Sequence, residues 1–206
     1  MRPILFPECH EKLSPRLCGG IEEYVKAWAC GSSAMDWTGR FDKRDKDTHR
    51  FTIADTRGKL QLTVPIAKPE SSRIRWDEVE ISTHGAWWDV HRVALESAYG
   101  RTPYFEFYID RFRPMLTTGV TERFPKLHAL ATAWDREIRD ILGLTSDRTE
   151  GDPMPHLGRE ISLKPYRQVR GDKLGFIAGL SILDLVFNLG PEAQLYLNEM
   201  AEEAFM

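Results

Sequence analysis

The chain has 206 residues, 42% of them hydrophobic and 29% charged, with a formal net charge of −3 and a pI near 6.1. This is globular composition, and a chain of this length buries roughly 70% of its unfolded surface without needing a disulfide or a metal. The acidic balance gives no support to nucleic-acid binding, which calls for a basic face, and no window reaches the ~18 apolar residues of a membrane span.

One domain over residues 1–206 is expected. The opening Met1-Arg2-Pro3-Ile4-Leu5-Phe6-Pro7 holds no apolar stretch long enough for a secretory leader, so a cytoplasmic location is expected. Cys9, Cys18 and Cys30 are then expected as free thiols. Their spacing, with His10 beside the first, lacks the close C-x2-4-C pair that lets two thiolates meet one zinc ion, so no metal site is expected.

In chain order, Pro3–Phe6 reads as a short buried strand and Ile21–Cys30 as a helix with Ile21, Val25, Trp28 and Ala29 on one face. Ala34–Phe41 is a candidate strand. Arg50–Asp55 and Leu60–Ile66 alternate in polarity across Thr56-Arg57-Gly58, the pattern of a β-hairpin, with Pro65 at its end. Val79 and Ile81 suggest a further strand over Glu78–Ser82. A helix follows from about His84 to Tyr99, with Thr83 as N-cap and Gly100 as the residue that ends it. Thr102-Pro103 opens another, to about Phe112, with proline in the first turn. Pro125 opens a third, ending at Leu142-Gly143. Its apolar stripe is Leu127, Leu130, Ala131, Trp134, Ile138 and Ile141, with Lys126, Arg136, Arg139 and Asp140 away from it. Leu144–Asp172 shows little periodicity, and an aperiodic stretch of that length calls for a function or for disorder. Ser181-x-x-Asp184 has the form of a capping box and predicts a short helix. Leu189-Gly190-Pro191 ends it and starts a last helix burying Ala193, Leu197, Met200, Ala201 and Ala204. The order predicts an α+β fold: an N-terminal mixed or antiparallel sheet with a hairpin, then a mainly helical C-terminal half.

No G-x-S-x-G, P-loop, G-x-G-x-x-G or H-E-x-x-H motif is present, which argues against the familiar hydrolases, NTPases and dehydrogenases. Three segments hold candidate chemistry. Residues 42–50 carry Lys43, Arg44, Lys46, Arg50 and His49 among three aspartates. Arginine's planar fork suits carboxylate or phosphate, and histidine titrates near neutrality; the structural alternative is a solvated loop whose charges pair among themselves. On the first long helix, Trp87 and His91 fall on the apolar stripe, so His91 is either a hydrogen-bonded core residue or a base. Trp88 lies about 100° away and is a candidate pocket wall. In the aperiodic stretch, Tyr166 and Gln168 are candidate ligand contacts, since binding residues concentrate in loops. Asp184 looks catalytic in isolation but already has a place in the capping box.

Leu62-Thr63-Val64-Pro65-Ile66, Trp88…His91…Ala98-Tyr99, Pro103-Tyr104-Phe105 and Leu180-Ser181-Ile182-Leu183-Asp184-Leu185-Val186-Phe187-Asn188 follow one another in an order that resembles the WbqC-like proteins. Phe6-Pro7 and Lys43…His49-Arg50 fit the same order, and the likeness runs over roughly residues 4–197. The family takes its name from a gene of O-antigen clusters, so the resemblance implies a role in surface polysaccharide. Many members have an Asn-x-Arg-like element before the hairpin, where this chain reads Thr48-His49-Arg50. The expected activity is transfer of a small group onto a sugar or activated sugar. Lys43 and Arg50 would hold an anionic group, His49 or His91 would act as base, and Trp88, Tyr166 and Gln168 would shape a site for a small-molecule or sugar ligand. The alternative is a non-catalytic protein that binds a polysaccharide intermediate or a biosynthetic enzyme.

Overall fold

The computed structural model describes residues 11–30, 33–42, 44–69, 71, 73–144 and 161–205. The strand predicted at Pro3–Phe6, together with Cys9, His10 and Lys43, lies outside them. Within them the architecture is α+β. A short parallel pair, β1 (Glu11–Leu13) and β2 (Ser33–Met35), is joined by α1 (Ile21–Cys30). The predicted strand Ala34–Phe41 ends at Met35. There the Asp36 carboxylate accepts from the Thr38 amide (3.2 Å) and hydroxyl (2.7 Å), a side-chain turn that competes with extension.

The hairpin is formed by β3 (Arg50–Asp55) and β4 (Gly58–Thr63), antiparallel, with Arg50 opposite Thr63 and Asp55 opposite Gly58. Alternation sends Phe51 and Ile53 inward, facing Leu62 and Leu60 across the ladder, so each inward pair is apolar. Arg50, Thr52, Gln61 and Thr63 fall on the other face. The strand predicted at Glu78–Ser82 is reduced to single bridges, Ile66–Ile81 and Glu80–Lys126, because Trp76–Glu78 is coiled into a 3-10 turn.

The remaining helices are α2 (Trp87–Tyr99), α3 (Phe105–Phe112), α4 (Val120–Arg123), α5 (Leu127–Leu142), α6 (Gly171–Leu174), α7 (Ile182–Leu189) and α8 (Ala193–Phe205). The α2 helix starts three residues later than predicted, and Thr83 does not cap it. Gly85 sits between them at φ +76°, outside helical space, so Ala86 becomes the N-cap without a side-chain bond.

The centre of the fold is α7. Ile182 through Asn188 are all buried, apolar except for Asp184 and Asn188, as suits an interior helix. Phe187 meets Tyr99 at 5.2 Å, Phe105 at 5.1 Å and Phe112 at 6.2 Å. Phe112 stacks on Trp134 of α5 at 4.8 Å, and Trp134 reaches Phe51 of the hairpin at 5.9 Å. One aromatic chain therefore ties α7, α3, α5 and β3 together. Gly190 ends α7 at φ +53°, and a Cβ there would lie 2.5 Å from the Tyr104 ring, so both the backbone angle and the space demand glycine.

Two further expectations are corrected. Arg139 is not on the solvent side of α5: it is buried, with Nε 2.5 Å from the Asp135 carboxylate one turn earlier, and Asp135 also accepts from the Tyr24 hydroxyl at 2.8 Å. The long arginine stem lets an i, i+4 ion pair sit beneath the stripe. Cys30 is disulfide-bonded, whereas Cys18 is a free, buried thiol. Sequence spacing says nothing about which Cα atoms approach within bridging range, and cysteine usage no longer argues for a reducing compartment.

Candidate functional site

A cleft of about 290 Å3 opens where three segments meet: the approach to α1, the start of β3 and the start of α7. Arg16, Cys18, Glu22, Arg50, Thr52 and Ser181 are among its walls. The backbone fixes this junction. The Ser181 amide donates to the Thr52 carbonyl (2.8 Å), the Ile182 amide donates to Gly19 (2.9 Å), and Gly20 bridges Ser181. Because Phe51 and Ile53 point inward, Arg50 and Thr52 face the cleft side of the hairpin.

The hydrogen bonding leaves specific donors open. Ser181 is the N-cap of α7, yet its hydroxyl makes no capping bond. The N3 amide, the usual partner, is 3.0 Å from Ser181's own carbonyl, which draws the first turn into 3-10 form. Ser181 is 3% exposed and its Oγ has no partner. The Arg50 Nη1 group donates to Gln61 Oε1 at 3.3 Å, while its Nε is buried without an acceptor. Arg16 is committed elsewhere, to Glu23 (3.2 Å) and Asp45 (2.6 Å). The Cys18 thiol lies beside the Ser181 hydroxyl and the Leu183 amide, but burial holds it protonated, far above its ordinary range.

Behind the cleft, three residues along α7, lies the Asp184 carboxylate. The predicted capping box does not form: Asp184 turns away from the Ser181 amide. Its Oδ2 accepts from the Tyr166 hydroxyl (2.5 Å) and Gln168 Nε2 (3.0 Å), and the Tyr99 hydroxyl also adjoins it. Gln168 further donates to the Ile177 carbonyl (2.9 Å) and accepts from the Ile177 amide (2.8 Å). One turn on, Asn188 accepts from the Val169 amide at 2.8 Å. The two polar side chains of α7, four apart and so on one face, therefore receive the aperiodic stretch as a strap. Burial raises the Asp184 carboxyl above its ordinary range, against the opposing pull of its donors.

The two histidines differ. His91 is 2% exposed and packs edge-on to Phe51 at 5.5 Å and Trp87 at 5.2 Å. Its Nε2 is 3.1 Å from the Thr63 carbonyl, which only accepts, so Nε2 carries the proton and the ring joins α2 to β4. Burial depresses its pKa to about 4. His49 is half-buried, and its Nδ1 is 3.3 Å from the Thr48 hydroxyl. That hydroxyl donates to the Asp45 carbonyl at 2.9 Å, so His49 Nδ1 is the donor and Nε2 keeps its lone pair. Burial, then the neighbouring Arg50 guanidinium, hold this imidazole below its ordinary range and so neutral at pH 7.

Of the residues predicted for a site, Arg50 lines the cleft and His49 precedes it. His91 lies on the opposite, inner face of the hairpin, where Trp88 packs against the core and meets Trp87 at 5.8 Å. Tyr166 and Gln168 bind Asp184, and Lys43 falls outside the described residues. Ser181 was missed as a cleft residue because the Ser-x-x-Asp pattern assigns its hydroxyl to a cap. Among the described residues no group of His, Cys, Asp and Glu could hold a metal ion, and no helix is long and apolar enough to cross a membrane.

Fold and cleft together define an α+β protein in which an antiparallel hairpin and a buried helix present an arginine and an unbonded hydroxyl to one small cleft. The chain belongs to the WbqC-like protein family, whose model matches residues 40–159, more than half its length. The match takes in Arg50, the hairpin, α2, α3 and α5, while Ser181 and Asp184 lie beyond it. No curated protein and no solved structure matches the chain significantly.

Proposed function

We propose that the chain takes part in making surface polysaccharide, binding an anionic sugar derivative in the Arg50 cleft and transferring a small group onto it. The observation that carries this reading is the Arg50 Nε, buried in a cleft wall with no acceptor. An unmet buried donor costs about 1–3 kcal/mol, more when charged, and an oxyanion ligand relieves that cost. Membership of the WbqC-like family supports the setting, since its name derives from an O-antigen gene. His49, next in sequence to Arg50 and neutral at pH 7, is the better candidate for the base that takes a proton from a sugar hydroxyl or amine. The test is a thermal-shift titration of the purified chain with nucleotide sugars and acyl donors. A stabilising ligand whose effect is lost in Arg50→Ala, at the wild-type melting temperature, is the expected result. Unchanged affinity in that variant removes the site assignment.

A second reading, non-catalytic binding of a polysaccharide intermediate or a biosynthetic enzyme, is favoured by one observation: His91, the other candidate base, is buried and donates to the Thr63 carbonyl on the inner face of the hairpin, away from the cleft. Complementation of a deletion strain by His49→Gln and His91→Gln separates the two. Rescue by both supports binding, and loss with His49→Gln in a folded protein supports transfer.

A further inference from the structure

The outer face of the hairpin carries a second cation that sequence reasoning did not connect to Arg50. Strand alternation places Lys59, Gln61 and Thr63 of β4 on the face that bears Arg50 and Thr52. A Cβ added to Gly179 would lie 3.1 Å from Lys59 Nζ, so this ammonium stands over the cleft wall two residues before Ser181. No described carboxylate forms an ion pair with Arg50 or Lys59, whereas Arg16, the other cation lining the cleft, is paired with Glu23 and Asp45.

Resting on the reading of the Arg50 cleft as a ligand site, we propose that the group it holds is a phosphoryl group, seated between the Arg50 guanidinium, the Lys59 ammonium and the Ser181 hydroxyl. The number of donors decides between phosphate and carboxylate. A carboxylate has two oxygens, which one guanidinium edge can satisfy. With Nη1 engaged by Gln61, the Nε side of Arg50 offers that edge, and the Lys59 ammonium and Ser181 hydroxyl remain for a third oxygen. Only a phosphoryl group has three. The Ser181 hydroxyl adds a second, independent feature to the α7 N-terminus, whose positive end favours an anion. Glu22 and Asp47, also lining the cleft, repel an anion from their own side and stand ready to accept hydroxyl groups of an attached sugar. A sugar phosphate meets the three donors with the terminal oxygens of one phosphorus, and the diphosphate of an activated sugar can meet them only by sharing the contacts between its two phosphorus atoms.

The test is isothermal titration of the full chain with inorganic pyrophosphate, and with malonate as the dicarboxylate comparison. Saturable pyrophosphate binding, much weaker malonate binding, and losses of about tenfold in Lys59→Gln and in Ser181→Ala are expected. Lys59 is exposed and Ser181 makes no capping bond, so both variants should melt like the wild type. Pyrophosphate binding that neither variant weakens, or malonate binding as tight as pyrophosphate, overturns the phosphoryl seat. If Arg50→Ala then abolishes whatever binding remains, the broader reading of an anion cleft survives. If Arg50→Ala binds like the wild type, or if neither anion binds at all, both fall. Within a positive result, tighter binding of glucose 1-phosphate than of uridine diphosphate assigns the seat to sugar phosphates, and the reverse order assigns it to activated sugars.

Discussion

The strap between residues 161 and 180 rests on one side chain more than on any other. Gln168 donates through Nε2 to the Ile177 carbonyl and Asp184 Oδ2, and accepts the Ile177 amide on Oε1. Its two amide hydrogens are thereby used, and the 3.2 Å approach to the Tyr166 hydroxyl is the weak third contact, since that hydroxyl gives its own proton to Asp184. Gln168→Met keeps the unbranched shape and removes all of these bonds. Two neutral bonds contribute about 1 kcal/mol each and the bond to the carboxylate about 1.5–3 kcal/mol. Water can reach part of the strap, which lowers the sum, so a loss of about 3 kcal/mol is expected. For a chain of this size that is a fall of roughly 6–12 °C in melting temperature. Urea unfolding gives the total, and amide exchange gives its location: Ile177 and Val169 should lose protection while the α5 amides exchange in step with the global change. A loss under about 0.5 kcal/mol, the range of ordinary surface substitutions, would refute the strap and return Gln168 to the role of a ligand contact.

Three further outcomes follow from buried groups. Asp184 has its folded pKa raised, so its contribution is complete below the ordinary carboxylate range and is lost as pH rises through the folded value. Relative to Asp184→Asn, the wild type should therefore gain stability as pH is lowered from 7 into that window, and parallel melting curves would contradict the raised value. His91 behaves oppositely: with its pKa depressed from 6.5 to about 4, stability is present above 6.5 and lost as pH falls toward 4, by at most about 3 kcal/mol. His91→Gln, which can still donate to the Thr63 carbonyl, should flatten that decline in denaturation curves taken at pH 7 and pH 4. Trp134→Ala empties the space between Phe112 and Phe51 and should cost about 3–5 kcal/mol in urea unfolding.

How much of this was legible in the sequence depends on whether the determining force was local. The α1 helix, the hairpin's first strand and the end of α5 follow from periodicity and turn residues, which act between near neighbours. The start of α2 did not, because a glycine left out of the pattern, Gly85, outweighs a plausible cap at Thr83. Asp184 is the sharper case. Ser181-x-x-Asp184 fits a local motif, and its helix forms where the motif places it, but the motif's own hydrogen bonds do not form. A carboxylate in an apolar interior needs donors, and Tyr166, Gln168 and Tyr99 arrive from distant parts of the chain to supply them. With Asp184 drawn to them, the Ser181 amide pairs with the Thr52 carbonyl instead, and the Asp184 amide goes to the Ser181 carbonyl, so neither half of the box forms and the Ser181 hydroxyl is left without a capping bond beside the Arg50 cleft. The open hydroxyl at the candidate site is thus set by the backbone bonds of the first turn, separately from the carboxylate that holds the strap. A helix N-cap that is legible as structure becomes legible as a candidate binding residue only when the backbone bonds around it are seen.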